Sequence, residues 1–437
     1  MSPDNPFFHR GAIRHSADFF GREAITQEIL GLLHNGQSVS LIGPRRIGKS
    51  SVLLHLCRPE VRESYRLASP QALFILIDCQ ELGGSPAAEV YDALLVGLLT
   101  AAEESQIEIS PDLRQGNYRT LDRVLHHVAG AGRQIVVLLD EFELLAANEQ
   151  LTPHFFARLR GLTTKYGLAY VTASQRPLFA ITAAEQILSS PFFNIFVTLA
   201  LGLFTPAEAE GLFMRRLEGA GALFEADLRR RLLELVGRHP FFLHIAGYHT
   251  FQAWLQGRDV GDSAEFALIE QAIEAEANAH LNYLWNNLTA EEQYALAIED
   301  GPSDAIRLLE QQCLLESVEG EYRHTSEILR RFVRRQTVPG LIQAYPFVID
   351  PARHRVRAGD QTLSLTNSQF ALLTCLCQHP GQVVHGEDLE AAVWSEVLVN
   401  DPDRLKTLIK RLRRAIEPFG EWIVSERGVG YALRPPA

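Results

Sequence analysis

The chain has 437 residues, 46% apolar and 22% charged, an ordinary globular balance that is too long for one core and predicts roughly two to four domains. Its net charge of −12 excludes a surface that coats nucleic acid everywhere, so any DNA contact has to come from a local basic patch. The five cysteines lack zinc-ligand spacing and read as reduced thiols. With no basic-then-apolar leader and no apolar run of about 18 residues, the chain is expected to be soluble and cytoplasmic, with no membrane partner.

From the N-terminus, apolar runs at residues 39–42, 72–78, 134–140, 168–173 and 195–199 alternate with amphipathic stretches at 50–56, 87–101 and 121–129. That order predicts an α/β fold whose parallel sheet is covered on both faces. Directly after the first run, Gly43-Pro44-Arg45-Arg46-Ile47-Gly48-Lys49-Ser50 fits the P-loop pattern G-x-x-x-x-G-K-[ST], followed by Ser51. Its glycines let successive backbone N–H groups turn toward phosphate oxygens, and the helix behind it offers its N-terminal dipole to the same anion. Lys49 is expected to reach the β- and γ-phosphates of ATP, and Ser50 to ligate Mg²⁺. The third run ends in Asp140-Glu141. Asp140 is expected near Mg²⁺, and Glu141 at the water that attacks the γ-phosphate. The fourth run ends in Ser174-Gln175-Arg176; likeness to P-loop ATPases, whose next strand carries a γ-phosphate sensor, implies Ser174 as a candidate for it and Arg176 as its charge partner.

From Thr205 the strands give way to helices. Thr205-Pro206-Ala207-Glu208 carries a cap, a proline and an acid in helix-start order, and helical periods continue to residue 288. A capped helix from Thr289, another at 306–313 and a hairpin around Gly320 outline a small winged helix. It ends in the basic, amphipathic stretch 327–335 and is expected to pack against the ATPase. The domain boundaries expected are 1–204 for the P-loop ATPase, 205–287 for a helical lid, 288–337 for the winged helix, 338–345 for a linker, and 346–437 for an α+β winged helix-turn-helix.

In the last domain, short strands precede a capped helix from Thr366, a second helix at 389–394 and a third at 401–416. A hairpin at 422–431, turned at Gly428 and Gly430, closes it. At about 100° per residue, Leu405, Leu408, Ile409, Leu412 and Ile416 share one face of the third helix, which must be core. The opposite face centres on Asp403, Thr407, Lys410 and Arg414, flanked by Arg404 and Arg411 on one side and Lys406 and Arg413 on the other. A basic face on an acidic protein suits phosphate and base-edge contacts with double-stranded DNA, and Arg427 at the hairpin tip suits phosphate or the minor groove.

Phe19-Phe20-Gly21-Arg22-Glu23, then GPRRIGKSS, LLDEFE and VTASQRPL, resemble the AAA-related STAND and archaeal-type P-loop ATPases, over residues 18–240. The resemblance implies that Gly21 and Arg22 lie near the adenine. Gly237-Arg238-His239-Pro240 resembles the family's lid motif with one residue inserted, which implies Pro240 against the base and His239 approaching phosphate. It further implies a slow ATP/ADP switch that self-associates on the ATP side, triggered by an activating protein partner. Arg215, Arg216 and Arg229, Arg230 and Arg231 are expected on solvated helix faces rather than as fingers for a neighbouring subunit. Residues 347–433 resemble the OmpR/PhoB-type winged helix-turn-helix, which implies a third helix in the major groove. A transcriptional regulator is therefore expected. The alternative is a DNA-loading or remodelling ATPase of a mobile element or defence system.

Overall fold

The computed structural model describes the chain apart from residues 1–3, 8–9, 66, 68–70, 111–116, 179–190, 219, 221–223, 360, 395–402 and 435–437. Five strands, β1 (Ser38–Ile42), β2 (Ala72–Asp78), β3 (Gln134–Asp140), β4 (Ala169–Ser174) and β5 (Phe196–Ala200), form one parallel sheet in the order β2-β3-β4-β1-β5. β3 is apolar throughout because both of its faces are buried. Ile135, Val137 and Leu139 feed one core with helices Ala87–Glu104 and Tyr118–Gly130. Val136 and Leu138 feed the other with helix Lys49–Leu56. Because β3 and β4 are inserted between β1 and β2, the chain reverses direction along the sheet beside β1, the place where parallel sheets open a crevice at their carboxyl ends. Registers of Ile42 with Ser174 and Asp78 with Asp140 bring these ends level.

Helices Pro206–Glu218, Ala226–Val236 and Pro240–Leu255 follow the sheet, and Ser263–Asn286 succeeds them. The first is opened by a reciprocal cap in which Glu208 N donates to Thr205 Oγ1 at 3.2 Å and Thr205 N to Glu208 Oε2 at 2.7 Å. The chain divides into two compact units, Met1–Ala277 with Gln311–Cys313, and Asn278–Glu310 with Leu314–Ala437.

In the second unit, helices Ala290–Ile298, Ser303–Gln311 and Glu327–Arg334 surround the hairpin of β6 (Leu315–Val318) and β7 (Glu321–His324). This middle winged helix docks on the sheet that opens the C-terminal domain. That sheet comprises β8 (Ile342–Ala344), β9 (Phe347–Asp350), β10 (Arg355–Ala358) and β11 (Gln361–Leu363), all antiparallel. β8 lies inside the stretch expected to be a linker, because three residues, Ile342-Gln343-Ala344, are too few to show alternation. Tyr294 bonds Asp350, Asp300 pairs with Arg355, Glu299 pairs with His324 and Arg357, and Arg357 Nη1 donates to the Ile298 carbonyl at 2.9 Å.

Helix Asn367–Gln378 comes next, then β12 (Val383–His385), helices Gly386–Trp394 and Asp403–Ala415, and β13 (Ile423–Glu426) and β14 (Gly430–Leu433), the three strands pairing in the sheet order β12-β14-β13. Gly428, at φ +74°, makes the tight turn between β13 and β14. Residues 401–402, expected to open the third helix, lie outside the described residues. Among the described residues no helix is long and apolar enough to cross a membrane. Burial pushes the Cys57 thiol up to about 11 and raises Cys79 and Cys377 as well, so these thiols are unreactive packing groups.

Candidate functional site

β1 ends at Ile42, whose carbonyl accepts from Leu201 N at 2.7 Å, while Gly43 N donates to the Ser174 carbonyl at 3.1 Å. These bonds seat the Gly43–Ser50 loop between the ends of β4 and β5. Gly43 has no room for a side chain, since an added Cβ would lie 2.5 Å from the Leu201 carbonyl oxygen. Gly48, at φ +109°, turns the chain into helix Lys49–Leu56. Lys49 is buried at the head of that helix, its Nζ donating to the Gly43 and Pro44 carbonyls at 2.8 and 3.1 Å. Burial pushes its ammonium down, and the charges of Glu143, Glu141 and Asp140 oppose that shift.

The ends of β1 and β3 meet where the Ser50 side chain hydrogen-bonds the Asp140 carboxylate. Burial pushes the Asp140 carboxyl up, and the Ser50 bond works against it. Glu141 N donates to Asp140 Oδ1 at 3.0 Å, and Glu141 itself takes φ +49°, sparsely populated for a side-chain-bearing residue. Burial, then the charge of Glu143, raises the Glu141 carboxyl. A hydroxyl and a carboxylate in contact beside a buried lysine fit Mg²⁺, which binds through one or two protein oxygens together with phosphate and water. Ser50 and Asp140 are the residues that would hold it.

A cavity of about 280 Å³ adjoins the loop. Its lining joins the charged and backbone groups of Arg45, Arg46, Ile47, Gly48, Lys49, Ser50, Ser51 and Glu141 to apolar Phe19, Phe20, Phe204, Leu212, Pro240 and Phe241. Arg46, at φ +64°, lays its guanidinium over the Phe241 ring at 4.4 Å. Arg22 also lines the cavity but is spent on the scaffold. Its Nη2 donates to the Gly202 and Ile47 carbonyls at 2.7 and 3.2 Å, its backbone N donates to Glu208 Oε1 at 3.0 Å, and burial lowers its pKa to about 10. Gly21, at φ +66°, has Phe204 and Glu208 3.0 and 3.1 Å from where a Cβ would stand. The segment Arg10-Gly11-Ala12-Ile13 crosses the cavity, anchored by Ile13 N donating to Ser51 Oγ at 3.0 Å.

Of the residues singled out in the sequence, loop residues 45–51, Arg22, Glu141 and Pro240 line this cavity, whereas Gly43, Pro44, Gly21, Asp140, Ser174, Arg176 and His239 do not. Asp140 reaches it through Ser50. Ser174 is fully buried, its hydroxyl donating to the Arg176 carbonyl at 2.8 Å, so Ser174 and Arg176 are folded into their own turn. His239 caps helix Pro240–Leu255, its Nδ1 accepting from Phe241 N at 3.3 Å. Phe241 and His244, the next residues on that helix to reach the lining, and residues 10–13 went unnoticed. Spacing after Pro240 carried the signal for the first two; residues 10–13 carried none. Arg216 pairs with Asp18 at 2.5 Å, and Arg229 with Glu210 at 2.6 Å.

In the C-terminal domain, helix Asp403–Ala415 buries Leu405, Leu408, Ile409 and Leu412 against the core, with Ile416 just beyond it. Lys406, Thr407, Lys410, Arg411 and Arg414 are exposed, as is Arg427 at the hairpin turn. Lys406 Nζ is 3.1 Å from Asp403, and Arg404 lies over the Trp394 ring at 3.8 Å. Arg413, expected on the outer face, departs from it. Its Nε and Nη2 donate to the Ile423 carbonyl at 3.1 and 2.6 Å, tying the helix to the hairpin.

Comparison with known proteins agrees with both halves. The family described as "Novel STAND NTPase 2" matches residues 29–301, and "Transcriptional regulatory protein, C terminal" matches residues 360–433. The chain is 32% identical over 106 residues to the phosphate regulon transcriptional regulatory protein PhoB of Escherichia coli (strain K12), covering 24% of this chain and 46% of that one. It is 31% identical over 108 residues to the response regulator ArlR of Staphylococcus saprophyticus, covering 24% of this chain and 49% of that one. It thus spans about half the length of the curated relatives it matches. A Walker-type ATPase of Pyrococcus abyssi superposes with a TM-score of 0.54 at 16% identity, covering 74% of this chain and 99% of that one, a likeness of fold. The chain belongs to the novel STAND NTPase 2 family and ends in a winged-helix domain of the OmpR/PhoB type, the combination of a DNA-binding regulator with an ATPase domain.

Proposed function

We propose that this chain is a slowly hydrolysing ATP switch that regulates transcription by binding DNA through its C-terminal winged helix. The observation that carries the reading is the meeting of Lys49, Ser50 and Asp140 beside an aromatic-walled cavity, in a chain that also exposes a basic helix face. Lys49 leaves the Gly43 and Pro44 carbonyls for the β- and γ-phosphates, while backbone N–H groups of residues 45–50 cradle them. Ser50 and Asp140 would hold Mg²⁺, which would supply charge neutralisation on the phosphates. Glu141 orients and polarises the attacking water, and the Ser174–Arg176 turn senses the γ-phosphate. Pro240 packs against the base, and His239 links the lid to the phosphates.

On DNA, Lys406, Thr407, Lys410, Arg411 and Arg414 engage the major groove and its phosphates, with Arg404 at the edge and Arg427 on the adjoining backbone. ADP maintains the resting state. ATP exchange, triggered by a protein partner, permits self-association, so that several C-terminal domains bind repeated half-sites together and gain affinity through multivalency.

Calorimetric titration of the full chain with Mg·ATP and Mg·ADP, beside Lys49→Ala, tests the front half of this reading. Saturable binding by the wild type that weakens in the variant supports it. No heat from either nucleotide at millimolar concentration contradicts it.

A further inference from the structure

Beyond Glu141, the acidic run after β3 holds a second glutamate, Glu143, that the P-loop signature does not call for. Glu143 sits in the first turn of helix Phe142–Ala146. Its Oε1 accepts from Gln175 N at 3.2 Å, across from β3 to the residue that follows β4. Its Oε2 is buried without a hydrogen-bond partner. The charge of Glu143 is, after burial, the leading influence on the Glu141 carboxyl, and it is the foremost attraction on the buried Lys49 ammonium, ahead of Glu141 and Asp140. One carboxyl group on the helix after β3 therefore holds the residue after β4 and sets its charge beside Glu141 and the lysine that follows β1.

The neighbours of Glu143 are the parts that most need fixing. Glu141 stands at φ +49°, where the chain turns sharply out of β3, and nothing in that backbone conformation orients its carboxylate. The Ser174–Arg176 turn is closed internally by the Ser174 hydroxyl and is tied outward by the Gln175 amide. We infer that Glu143 is a positioning residue for ATP hydrolysis, holding the Glu141 carboxylate and the turn after β4 in one arrangement around the γ-phosphate. The inference rests on the ATPase reading above. Glu143 touches neither phosphate nor water; it acts through Glu141 and Gln175.

The test is steady-state ATP hydrolysis by the full chain, with Mg·ADP affinity and melting temperature measured on the same samples, for wild type, Glu143→Ala and Glu143→Gln. A mispositioned reacting group costs up to about 100-fold in rate. Glu143→Ala should lose at least about tenfold in kcat while KM and Mg·ADP affinity stay within about threefold. Glu143→Gln keeps an oxygen for the Gln175 amide and gains an N–H for Glu141, so it should return most of the lost rate. An Ala variant with wild-type kcat overturns the inference and leaves the ATPase reading standing. So does a Gln variant as slow as the Ala variant, or parallel loss of nucleotide affinity and melting temperature, which would mark Glu143 as merely structural. A wild type without turnover overturns both readings together.

Discussion

Lys49, 5% exposed and bonded to the Gly43 and Pro44 carbonyls, is a buried cation held by its own loop. Charge-assisted hydrogen bonds contribute about 1.5–3 kcal/mol each, so Lys49→Ala should weaken Mg·ATP about 10- to 100-fold by calorimetry. Glu141→Gln should keep that affinity and slow hydrolysis about 100-fold or more, as removal of a general base does; unchanged turnover would take Glu141 out of the chemistry. Arg22 makes a contrasting case beside the same cavity. Its Nη2 bridges the Ile47 and Gly202 carbonyls while Nη1 reaches the Leu203 carbonyl, so it acts on the fold. Arg22→Ala should lower unfolding free energy by about 2–4 kcal/mol, and Arg22→Lys should recover little, because an ammonium cannot reproduce a planar fork. A denaturant titration of each variant checks this. Lys49 was legible because phosphate chemistry needs that residue at that spacing. The service of Arg22 to these backbone carbonyls was not, because the carbonyls come from chain segments far apart in sequence.

Helix Asp403–Ala415 shows both how much and how little a helical wheel tells. Its buried stripe was legible, since apolar residues at a 3.6-residue period have one place to go. Its outer face was legible except for Arg413, whose donation to the Ile423 carbonyl depends on where the hairpin lies. Lys410→Ala and Arg414→Ala should each weaken DNA binding and reduce the salt slope by about 1, without affecting melting. Arg413→Ala should instead cost about 1–2 kcal/mol of stability in the domain. A salt titration of DNA affinity beside thermal melts separates the two outcomes.

The sheet β8–β11 is the other element with a checkable role. Glu299, buried between the middle winged helix and β10, meets His324 and Arg357. Burial pushes its carboxyl up, but His324 and then Arg357 outweigh this and hold it below the usual 4.5. A carboxyl depressed in the folded state stabilises it above the unfolded value and loses that contribution as pH falls through the folded one. Glu299→Ala should therefore cost about 3–5 kcal/mol near neutrality, since it takes the carboxylate from the buried His324 side chain and the half-buried Arg357. The gap to wild type should close as pH drops below about 4.5 in acid-unfolding curves. A gap that persists unchanged into acid would mean the pair carries no such stability.

Over the whole molecule, the parts legible in sequence are those where one physical demand fixes residue type and spacing together. β3 is an example, apolar on both faces and ending in Asp140. β8 is the opposite, a three-residue strand that exists because β9 offers it a partner. The cavity lining divides the same way: the loop announced itself, whereas residues 10–13 line it through the course of the chain over Ser51. Two features are written into one chain, a P-loop ahead and a winged helix with a basic outer face behind. In the proposed function, nucleotide state controls DNA affinity. The direct measurement is the affinity of the full chain for DNA fragments it has itself selected, in Mg·ATP, in Mg·ADP, and for Lys49→Ala in Mg·ATP. The account predicts binding tighter in ATP than in ADP by about tenfold, within the usual 1–3 kcal/mol of coupling between sites, with Lys49→Ala matching the ADP value. Equal affinity in all three would contradict it.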